Sequence, residues 1–402
     1  MHSQLSSSLW MLFRRGVSSI LPRRGLQIGF MQKSMSTVTT IDQASTRLSF
    51  ADIIGEESLR GRWMSQGLIL ERMDMIGAAI ACKATQGGCA TVSFDQVESH
   101  FPVYHGDLFQ LEGQVLNINN TSTSIQISGY RIDMITGSTT HTHDAILTFV
   151  AIDKDGRPRA GLPKLVSSAD PDFVPNMYEH GVSSGHVVPR AQKAVQRKEL
   201  AARWRKIQEE VDAIEYIRLD MLEENPITKT RTSFVPVRDT LVQVQNLFLP
   251  KHLNMNNTIF GGEILQWMDK VALFCGRKFT KNVHMATISM NRIVFKLPIT
   301  TSDVVSMKAR VVMVRRLTLE VEVEVFVERL GTSEKRKSHT AYFTVINLNI
   351  GQLRDPIMTG LAVDEADQES MRHLLKAQKR WSFHTEEHSL HEFPPLPVTS
   401  HL

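Results

Sequence analysis

The sequence predicts an α+β protein in which one domain occurs twice, each copy being an antiparallel sheet that wraps a central helix. Three observations support this fold class. The chain has 402 residues, enough for two ordinary domains and their connections. Four sequence blocks recur in the same order, and each repeat has an apolar helical segment followed by alternating strands.

The internal repeat is visible in four blocks that keep a nearly constant offset. The helical blocks align without a gap at an offset of 195 residues, since 269 − 74 = 195, and the later blocks align at 196. The paired blocks are 67–79 with 262–274, 90–93 with 286–289, 102–107 with 298–303, and 143–145 with 339–341. A repeated order of this kind predicts two copies of one fold.

The strand and helix patterns define what each copy contains. Residues 317–325 alternate between apolar and polar types, which predicts a strand with one face in solvent, and residues 125–129 alternate in the same way. The helix that carries Asp74 is apolar nearly all round, so we expect the sheet to enclose it. A helix enclosed by an antiparallel sheet is a hot-dog fold, and the duplication therefore predicts a tandem, or double, hot dog.

Five segments follow from this organisation. Residues 1–40 are rich in serine and basic residues, and the first acidic residue is Asp42, a composition typical of a mitochondrial transit peptide. We expect a mitochondrial matrix protein. The first hot-dog domain is predicted at 50–165, a connector with a charged helix from Arg190 to about Glu223 at 166–235, the second hot-dog domain at 236–360, and a C-terminal tail at 361–402.

Composition argues against several classes of function. The net charge of +4 lies largely at the N-terminus and in the connector helix, so we expect no nucleic-acid partner. No apolar run is long enough to form an integral membrane segment. The three cysteines lack disulfide or zinc-ligand spacing, and no dinucleotide or phosphate-loop motif occurs. We therefore predict no metal site and no tightly bound cofactor.

Two aspartates in apolar helices are the first candidates for catalysis. Burying a charge costs several kcal/mol unless it is hydrogen-bonded or neutralised, so Asp74 and Asp269 need a reason to be there. Their recurrence at equivalent positions favours a function as acid, base or nucleophile. An inherited structural device is the alternative.

The segment before the second helix, residues 254–262, is the second candidate. Its consecutive glycines, Gly261 and Gly262, let a ligand approach the backbone, and the free amides of a helix N-terminus can donate to an oxyanion. A polarised thioester carbonyl would suit this place. The alternative is an ordinary helix start that is capped by Thr258 or an asparagine.

These motifs carry a family resemblance. Residues 257–262, followed by Trp267, Met268 and Asp269, resemble the hot-dog acyl-coenzyme A (acyl-CoA) thioesterases, and residues 287–303 extend the match. With its N-terminus, duplication and charged connector, the chain from about 50 to 360 is similar to the mitochondrial acyl-CoA thioesterase 9 type. The resemblance implies hydrolysis of fatty acyl-CoA to a free fatty acid and coenzyme A, and a homo-oligomer of double hot-dog units.

The resemblance also implies composite sites, each joining the helix aspartate of one repeat to the helix entry of the other. The repeats are not equivalent, because the first keeps only Gly67 of the glycine pair and has Trp63 opposite Thr258. We expect the intact site to combine Asp74 with the second helix entry. The predicted catalytic residues are Asp74, Asp269, Asn256 and Asn257, and the predicted substrate-binding residues are Thr258, Gly261, Gly262 and Gly67.

Two other functions remain open at this level. An acyl-CoA hydratase or dehydratase on the same fold would use a histidine beside the helical acid, and the run His100-Phe101-Pro102 hints at it. A non-catalytic acyl-CoA-binding regulator would bind without turnover. His143 and His339 recur between the repeats, and we interpret them as packing residues.

Overall fold

The computed structural model describes residues 40–95, 97–167, 190–223, 231–331, 334–383, 386 and 395–399, so the predicted transit peptide lies outside the described residues except for Thr40. The helices are α1 Gln66–Thr85, α2 Arg190–Ala213, α3 Gly261–Thr280 and α4 Gln368–Ser382. The strands are β1 Thr40–Asp42, β2 Leu48–Ile53, β3 Cys89–Phe94, β4 Val97–Ser99, β5 Leu108–Ile118, β6 Ser122–Ile132, β7 Thr139–Ala151, β8 Lys164–Val166, β9 Ser233–Pro236, β10 Val242–Leu247, β11 Met285–Met290, β12 Ile293–Val294, β13 Asp303–Val314, β14 Thr318–Arg329, β15 Lys335–Asn347 and β16 Thr359–Ala362.

The two predicted sheets are halves of one 12-stranded sheet. Its main path runs β10-β13-β14-β15-β11-β4-β7-β6-β5-β2, and β3 and β12 pair beside it. The halves join where β4 pairs antiparallel with β11 and β3 pairs antiparallel with β12. The double hot-dog prediction is confirmed, with the addition that the two sheets are continuous.

The sheet encloses α1 and α3, which pack against each other at the centre of the molecule. Each helix has 20 residues, and each ends at a residue in the left-handed conformation, Gln86 with φ of 55° and Lys281 with φ of 56°. Burial of α1 explains its composition, since Leu70, Met73 and Ile80 are fully buried. No helix of the described residues is both long and apolar enough to cross a membrane.

The prediction that β14 has one face in solvent is wrong. Glu320, Glu322 and Glu324 on that face are only 4%, 3% and 7% exposed. Helix α4 covers them, and its Arg380 pairs with Glu320 while its His373 lies 3.0 Å from Glu322. The strand alternates as predicted, but α4 packs on its polar face, and Arg310 and Lys337 of the neighbouring strands pair with Glu324.

The connector and the C-terminal segment differ from their predicted shapes. Helix α2 ends at Ala213 and not near Glu223, because the chain turns so that the Ile217 amide can donate to Gln368 Oε1 at the start of α4. The C-terminal segment is more than a polar tail. It contributes α4, and Leu396 is buried against the first half of the sheet, where its amide donates to Ser128 Oγ.

Candidate active site

Asp74 lies on α1 and faces the N-terminus of α3, in the other repeat. Its carboxylate is fully buried. Asp74 Oδ1 accepts a hydrogen bond of 2.8 Å from Thr91 Oγ1, and Oδ2 accepts one of 2.7 Å from the Gly262 amide. The structure therefore brings the first predicted acid to the predicted helix entry, in a contact that crosses between the repeats. We call this arrangement the first seam.

Asp269 occupies the equivalent position in the second seam. Its Oδ1 accepts from Thr287 Oγ1, and its Oδ2 accepts from the Gly67 amide at 2.9 Å. A third donor, Ser65 Oγ, lies 2.6 Å from the same Oδ2. The two helices thus hold each other's N-termini through a pair of buried carboxylates.

Burial sets the proton affinity of both carboxylates. In the first seam, desolvation raises the pKa of Asp74 from its ordinary value of 3.8 to about 7, against the lowering effect of the hydrogen bonds from Thr91 and Gly262. Desolvation also raises the pKa of Asp269, and three hydrogen-bond donors oppose it there. An acid that titrates near neutral pH is suited to proton transfer.

Glu71 and Gln266 face each other at the junction of the two helices. They are equivalent residues of the two repeats, since 266 − 71 = 195, and Gln266 Nε2 donates to Glu71 Oε2 at 2.9 Å. The negative charge of Glu71 contributes to the raised pKa of Asp74. Different residues at one repeated position therefore make the environment of the two aspartates unequal.

The two glycines at the start of α3 leave room for the Asp74 carboxylate. A Cβ atom on Gly261 would lie 2.9 Å from Asp74 Oδ2, and one on Gly262 would lie 2.8 Å from Glu71 Cα. Gly67 is equally confined, because a Cβ atom there would lie 2.9 Å from Asp269 Cβ. Close approach between the helices explains all three glycines without a ligand.

The sequence suggested that the amides at this helix entry are free to bind a substrate. Some of them are already used by hydrogen bonds within the protein. The Gly262 amide is bound to Asp74, and the Gly67 amide is bound to Asp269. Within the described part of the chain, the Gly261 amide forms no hydrogen bond. Gly261 thus supplies the amide at this helix start that can still donate to an oxyanion.

The loop before α3 is held by a residue that the site prediction omitted. Asn254 Oδ1 accepts from the amides of Asn256 and Thr258, at 2.9 Å and 3.2 Å. Asn257 takes up a left-handed conformation with φ of 57°. Asn256 Nδ2 donates to Cys89 O at 2.9 Å, which ties the loop to β3 of the first repeat. Asn254, Asn256 and Thr258 therefore shape the loop through contacts within the protein.

No side chain of the preceding loop caps α3, whose Gly262 amide is bound by the Asp74 carboxylate. Its N-cap residue is Phe260, whose side chain makes no capping hydrogen bond, so the alternative of a cap from Thr258 or an asparagine is wrong. The equivalent residue before α1 is Ser65, and its hydroxyl binds Asp269 instead of capping its own helix. Both helix entries are thus arranged around the opposite aspartate.

The first helix entry departs from the second where the sequence indicated. Gln66 stands in the place of Gly261, and its Oε1 lies 3.1 Å from His143 Nε2. Trp63 contacts the Tyr104 ring edge to face, with ring centroids 6.5 Å apart. The helix entry of the second seam therefore carries larger side chains, Gln66 and Trp63, than the helix entry of the first seam.

The recurring histidines lie inside the sheet as neutral groups. His143 is fully buried, and burial lowers its pKa to about 3. Burial lowers the pKa of His339 to about 4. His100 is on a different surface, where its Nε2 lies 3.5 Å from Asp144 Oδ2. The polar contact of His100 is thus with Asp144 and not with a helical acid.

Thr91 and Thr287 were missed by the sequence prediction, although their signal was present. Each lies in the repeated Ala-Thr-x-Ser block, and each donates to the aspartate of its own repeat. In both repeats a threonine follows the helix aspartate by 17 or 18 residues. This recurrence was sufficient reason to pair the hydroxyl with the carboxylate. Ser65 has no counterpart in the second repeat, and no pattern indicated it.

The chain is similar to several known proteins over part of its length. A family model described as the thioesterase superfamily matches residues 256–334. The chain is 29% identical over 113 residues to protein VdlD of Helicobacter pylori, covering 28% of this chain and 64% of that protein. It is 22% identical over 287 residues to acyl-coenzyme A thioesterase 11 of Mus musculus, covering 71% of this chain and 44% of that protein.

A bacterial relative and a solved structure extend the comparison. The chain is 28% identical over 139 residues to an uncharacterized acyl-CoA thioester hydrolase, YkhA, of Bacillus subtilis, covering 35% of this chain and 78% of that protein. A hexameric acyl-CoA thioesterase matches 40% of this chain and 99% of its own chain, with 23% identity and a TM-score of 0.37. The chain spans 64% of VdlD and less than half of the mouse protein. Residues 256–334 are thus similar to the thioesterase superfamily, and two of these relatives are named as an acyl-coenzyme A thioesterase and an acyl-CoA thioester hydrolase.

Proposed function

We propose that this chain is an acyl-CoA thioesterase that hydrolyses fatty acyl-CoA to a free fatty acid and coenzyme A at the first seam. The observation that carries the proposal is the fully buried Asp74, with a pKa raised to about 7, set against the glycine-rich start of α3. A carboxylate that can accept a proton near neutral pH stands beside an amide, that of Gly261, that can stabilise an oxyanion.

The chemistry follows from these positions. The thioester carbonyl oxygen would accept from the Gly261 amide, while the α3 dipole adds favourable potential. Asp74 would remove a proton from water as it attacks the carbonyl carbon, and the proton would then go to the leaving thiolate. Alternatively Asp74 would attack the carbonyl carbon itself and expel the coenzyme A thiolate. Water would then hydrolyse the resulting anhydride to the free acid and Asp74, and a proton from that water would go to the thiolate. Asn256, Asn257 and Thr258 would line the same entry as substrate-facing backbone and side-chain groups.

The finer identity rests on the sequence. The basic, serine-rich segment 1–40 and the resemblance to the mitochondrial acyl-CoA thioesterase 9 type support a matrix enzyme that acts on fatty acyl-CoA. Fusing residues 1–40 to a fluorescent protein tests the mitochondrial localisation, and a fusion that stays outside mitochondria would contradict it.

We also propose that the chain forms a homo-oligomer of double hot-dog units. Light scattering of the purified chain tests this proposal.

Thiol release by the purified full chain tests the activity. Acyl-CoAs of graded chain length are offered, and both the free thiol and the carboxylic acid are quantified. We expect equal amounts of both products and little of either from Asp74→Asn. Formation of a hydrated or enoyl thioester without thiol would indicate a hydratase or dehydratase, and tight binding without any product would indicate a regulator.

A further inference from the structure

A group of metal-ligating side chains lies away from both seams, on the first half of the sheet. His100, His141 and Asp144 each offer one ligand atom, and the three atoms lie within 4.8 Å of one another. His141 Nε2 is 2.9 Å and His100 Nε2 is 3.5 Å from the same oxygen, Asp144 Oδ2. Two imidazoles thus converge on one carboxylate oxygen.

A β-bulge brings these residues to one face of the sheet. In the pairing of β6 with β7, Gly129 lies opposite His143 while Tyr130 lies opposite His141, so Thr142 is an extra residue. Strict alternation would place His141 on the face opposite Asp144. The bulge re-aims His141 toward Asp144, and His100 directly follows the neighbouring strand β4.

The second repeat provides an internal control. It has a bulge at the same place, since Val325 lies opposite His339 while Phe326 lies opposite Lys337. At the offset of 196, His100, His141 and Asp144 correspond to Lys296, Lys337 and Thr340. The fold therefore forms this bulge without any ligand residue. The three donors belong to the first repeat alone, whereas His143 and His339 recur in both.

The surroundings of Asp144 are typical of a prepared ligand. Ser128 Oγ donates to Asp144 Oδ1 at 2.7 Å, which fixes the carboxylate and leaves Oδ2 toward the imidazoles. The Ser128 hydroxyl itself accepts from the Leu396 amide. The three ligand side chains keep 37%, 26% and 20% of their surface exposed, so an ion can reach them.

We propose that His100, His141 and Asp144 form a binding site for a divalent transition-metal ion of the zinc type. Two neutral imidazole nitrogens and one carboxylate oxygen are donors that suit Zn²⁺, whose bonds to nitrogen are about 2.0–2.1 Å, and water would complete the tetrahedron. The spacing of these residues along the chain gave no sign of the site, because two different strands supply them. The bound ion would clamp β4 to β7, beside the junction of the two halves.

Zinc binding by the full chain, stripped with a chelator and titrated with ZnCl₂, tests the proposal. We expect one equivalent of Zn²⁺ to bind and to raise the melting temperature. His100→Lys and His141→Lys, which install the residues of the second repeat, should each weaken binding by more than about 100-fold, since losing even an outer-shell partner costs roughly 10- to 100-fold. Co²⁺ substituted for zinc should give visible absorption bands of a four-coordinate site.

Three controls keep the test decisive. His284→Lys changes an exposed histidine of the second repeat and should leave zinc binding unchanged. Melting temperatures without metal show whether each variant folds, and His100, the most exposed ligand, is the safest to replace. Zinc binding that survives His100→Lys and His141→Lys, or no zinc binding by the wild-type chain, would mean a hydrogen-bonded cluster only and would overturn the proposal.

Discussion

The first and second seams share the same hydrogen bonds to a buried aspartate, but they differ in the residues around that aspartate. In each, a buried aspartate accepts from a threonine of its own repeat and from a glycine amide of the other. Only Asp269 has a further donor, Ser65, and the entry opposite it carries Gln66 where the other entry has Gly261. The shared contacts join the two repeats, so a buried aspartate is not by itself evidence of catalysis. The difference lies at the helix entry, where Gly261, whose amide makes no hydrogen bond within the described part of the chain, stands beside Asp74.

Fusion of the two repeats in one chain permits this inequality. Glu71 and Gln266 are equivalent positions that touch across the junction, and a symmetric dimer of identical chains would have to place two identical residues there. Two glutamates would repel, and two glutamines would remove the charge that raises the pKa of Asp74. A tandem chain can keep one of each.

Among variants that leave both aspartates in place, the largest effect is expected from Gly261→Ala. The new Cβ atom would lie 2.9 Å from Asp74 Oδ2 and would displace either the carboxylate or the helix start. We expect kcat/KM for thiol release to fall by about 100-fold or more, because displacement would separate Asp74 from the Gly261 amide, with an effect comparable to the loss of an oxyanion donor. Gly276→Ala on the same helix is the matched control, because its Cβ atom would make an ordinary contact of 3.4 Å with Met285. Equal losses in both variants would show that only stability was affected.

The pH dependence of turnover should report on Asp74. Since the ionised form is the base or nucleophile and its pKa is about 7, kcat/KM should fall about tenfold per pH unit below that value. Glu71→Gln removes a nearby negative charge and should move this acid limb to lower pH. A pH–rate profile of each protein measures the limb. An unchanged profile in Glu71→Gln would place the titrating group elsewhere.

The same shift has a consequence for stability. The folded chain retains on Asp74 a proton that the unfolded chain releases near its ordinary pKa of 3.8, so the contribution of Asp74 to stability falls as pH rises from there to about 7. The full shift corresponds to about 4 kcal/mol. Asp74→Asn should therefore fold well at pH 8, so its loss of turnover there could not be attributed to unfolding.

A smaller effect is expected from Thr91→Val. This change keeps the shape of the side chain but removes the donor to Asp74 Oδ1, which raises the pKa of Asp74 further. Turnover at pH 7 should fall about tenfold, as expected for a hydrogen bond of about 1.4 kcal/mol. Thr287→Val is the matched change at Asp269 and should alter turnover much less. A larger loss of turnover in Thr287→Val than in Thr91→Val would contradict the assignment of catalysis to the first seam.

The smallest effect on activity is expected from Ser65→Ala. Asp269 would lose one of three donors, and the free energy of unfolding should fall by about 1–2 kcal/mol. Thiol release should stay within about twofold of the wild type. Urea unfolding and the standard assay measure the two quantities. Severe loss of turnover with unchanged stability would assign catalysis to the second seam.

Much of the fold was predictable because the repeat and the apolar helices are local patterns. The offset between repeats aligned Asp74 with Asp269, and the family resemblance implied that each acid meets the helix entry of the other repeat. The face of β14 that was expected in solvent is buried because α4 returns from the far end of the chain. Periodicity shows which residues share a face, but it does not show what covers that face.

The sequence predicted which residues meet at the site, but it did not predict which hydrogen bonds they form. The glycines of the second entry and both aspartates lie where the sequence indicated that they should meet. That the Gly262 amide is already used, and that Asn254 holds the loop, depends on hydrogen-bond directions that spacing does not contain. The cluster of His100, His141 and Asp144 was hidden because one extra residue, Thr142, reverses the face of His141.

We infer that the first seam turns over substrate and that the second serves to hold the fold. Steady-state thiol release by Asp74→Asn and Asp269→Asn, measured side by side with the same acyl-CoA at pH 8, tests it most directly. We expect Asp74→Asn to lose about 100- to 10,000-fold in kcat, as for removal of a general base, and Asp269→Asn to keep most of its turnover. Loss of activity in Asp269→Asn with Asp74→Asn still active would contradict the account.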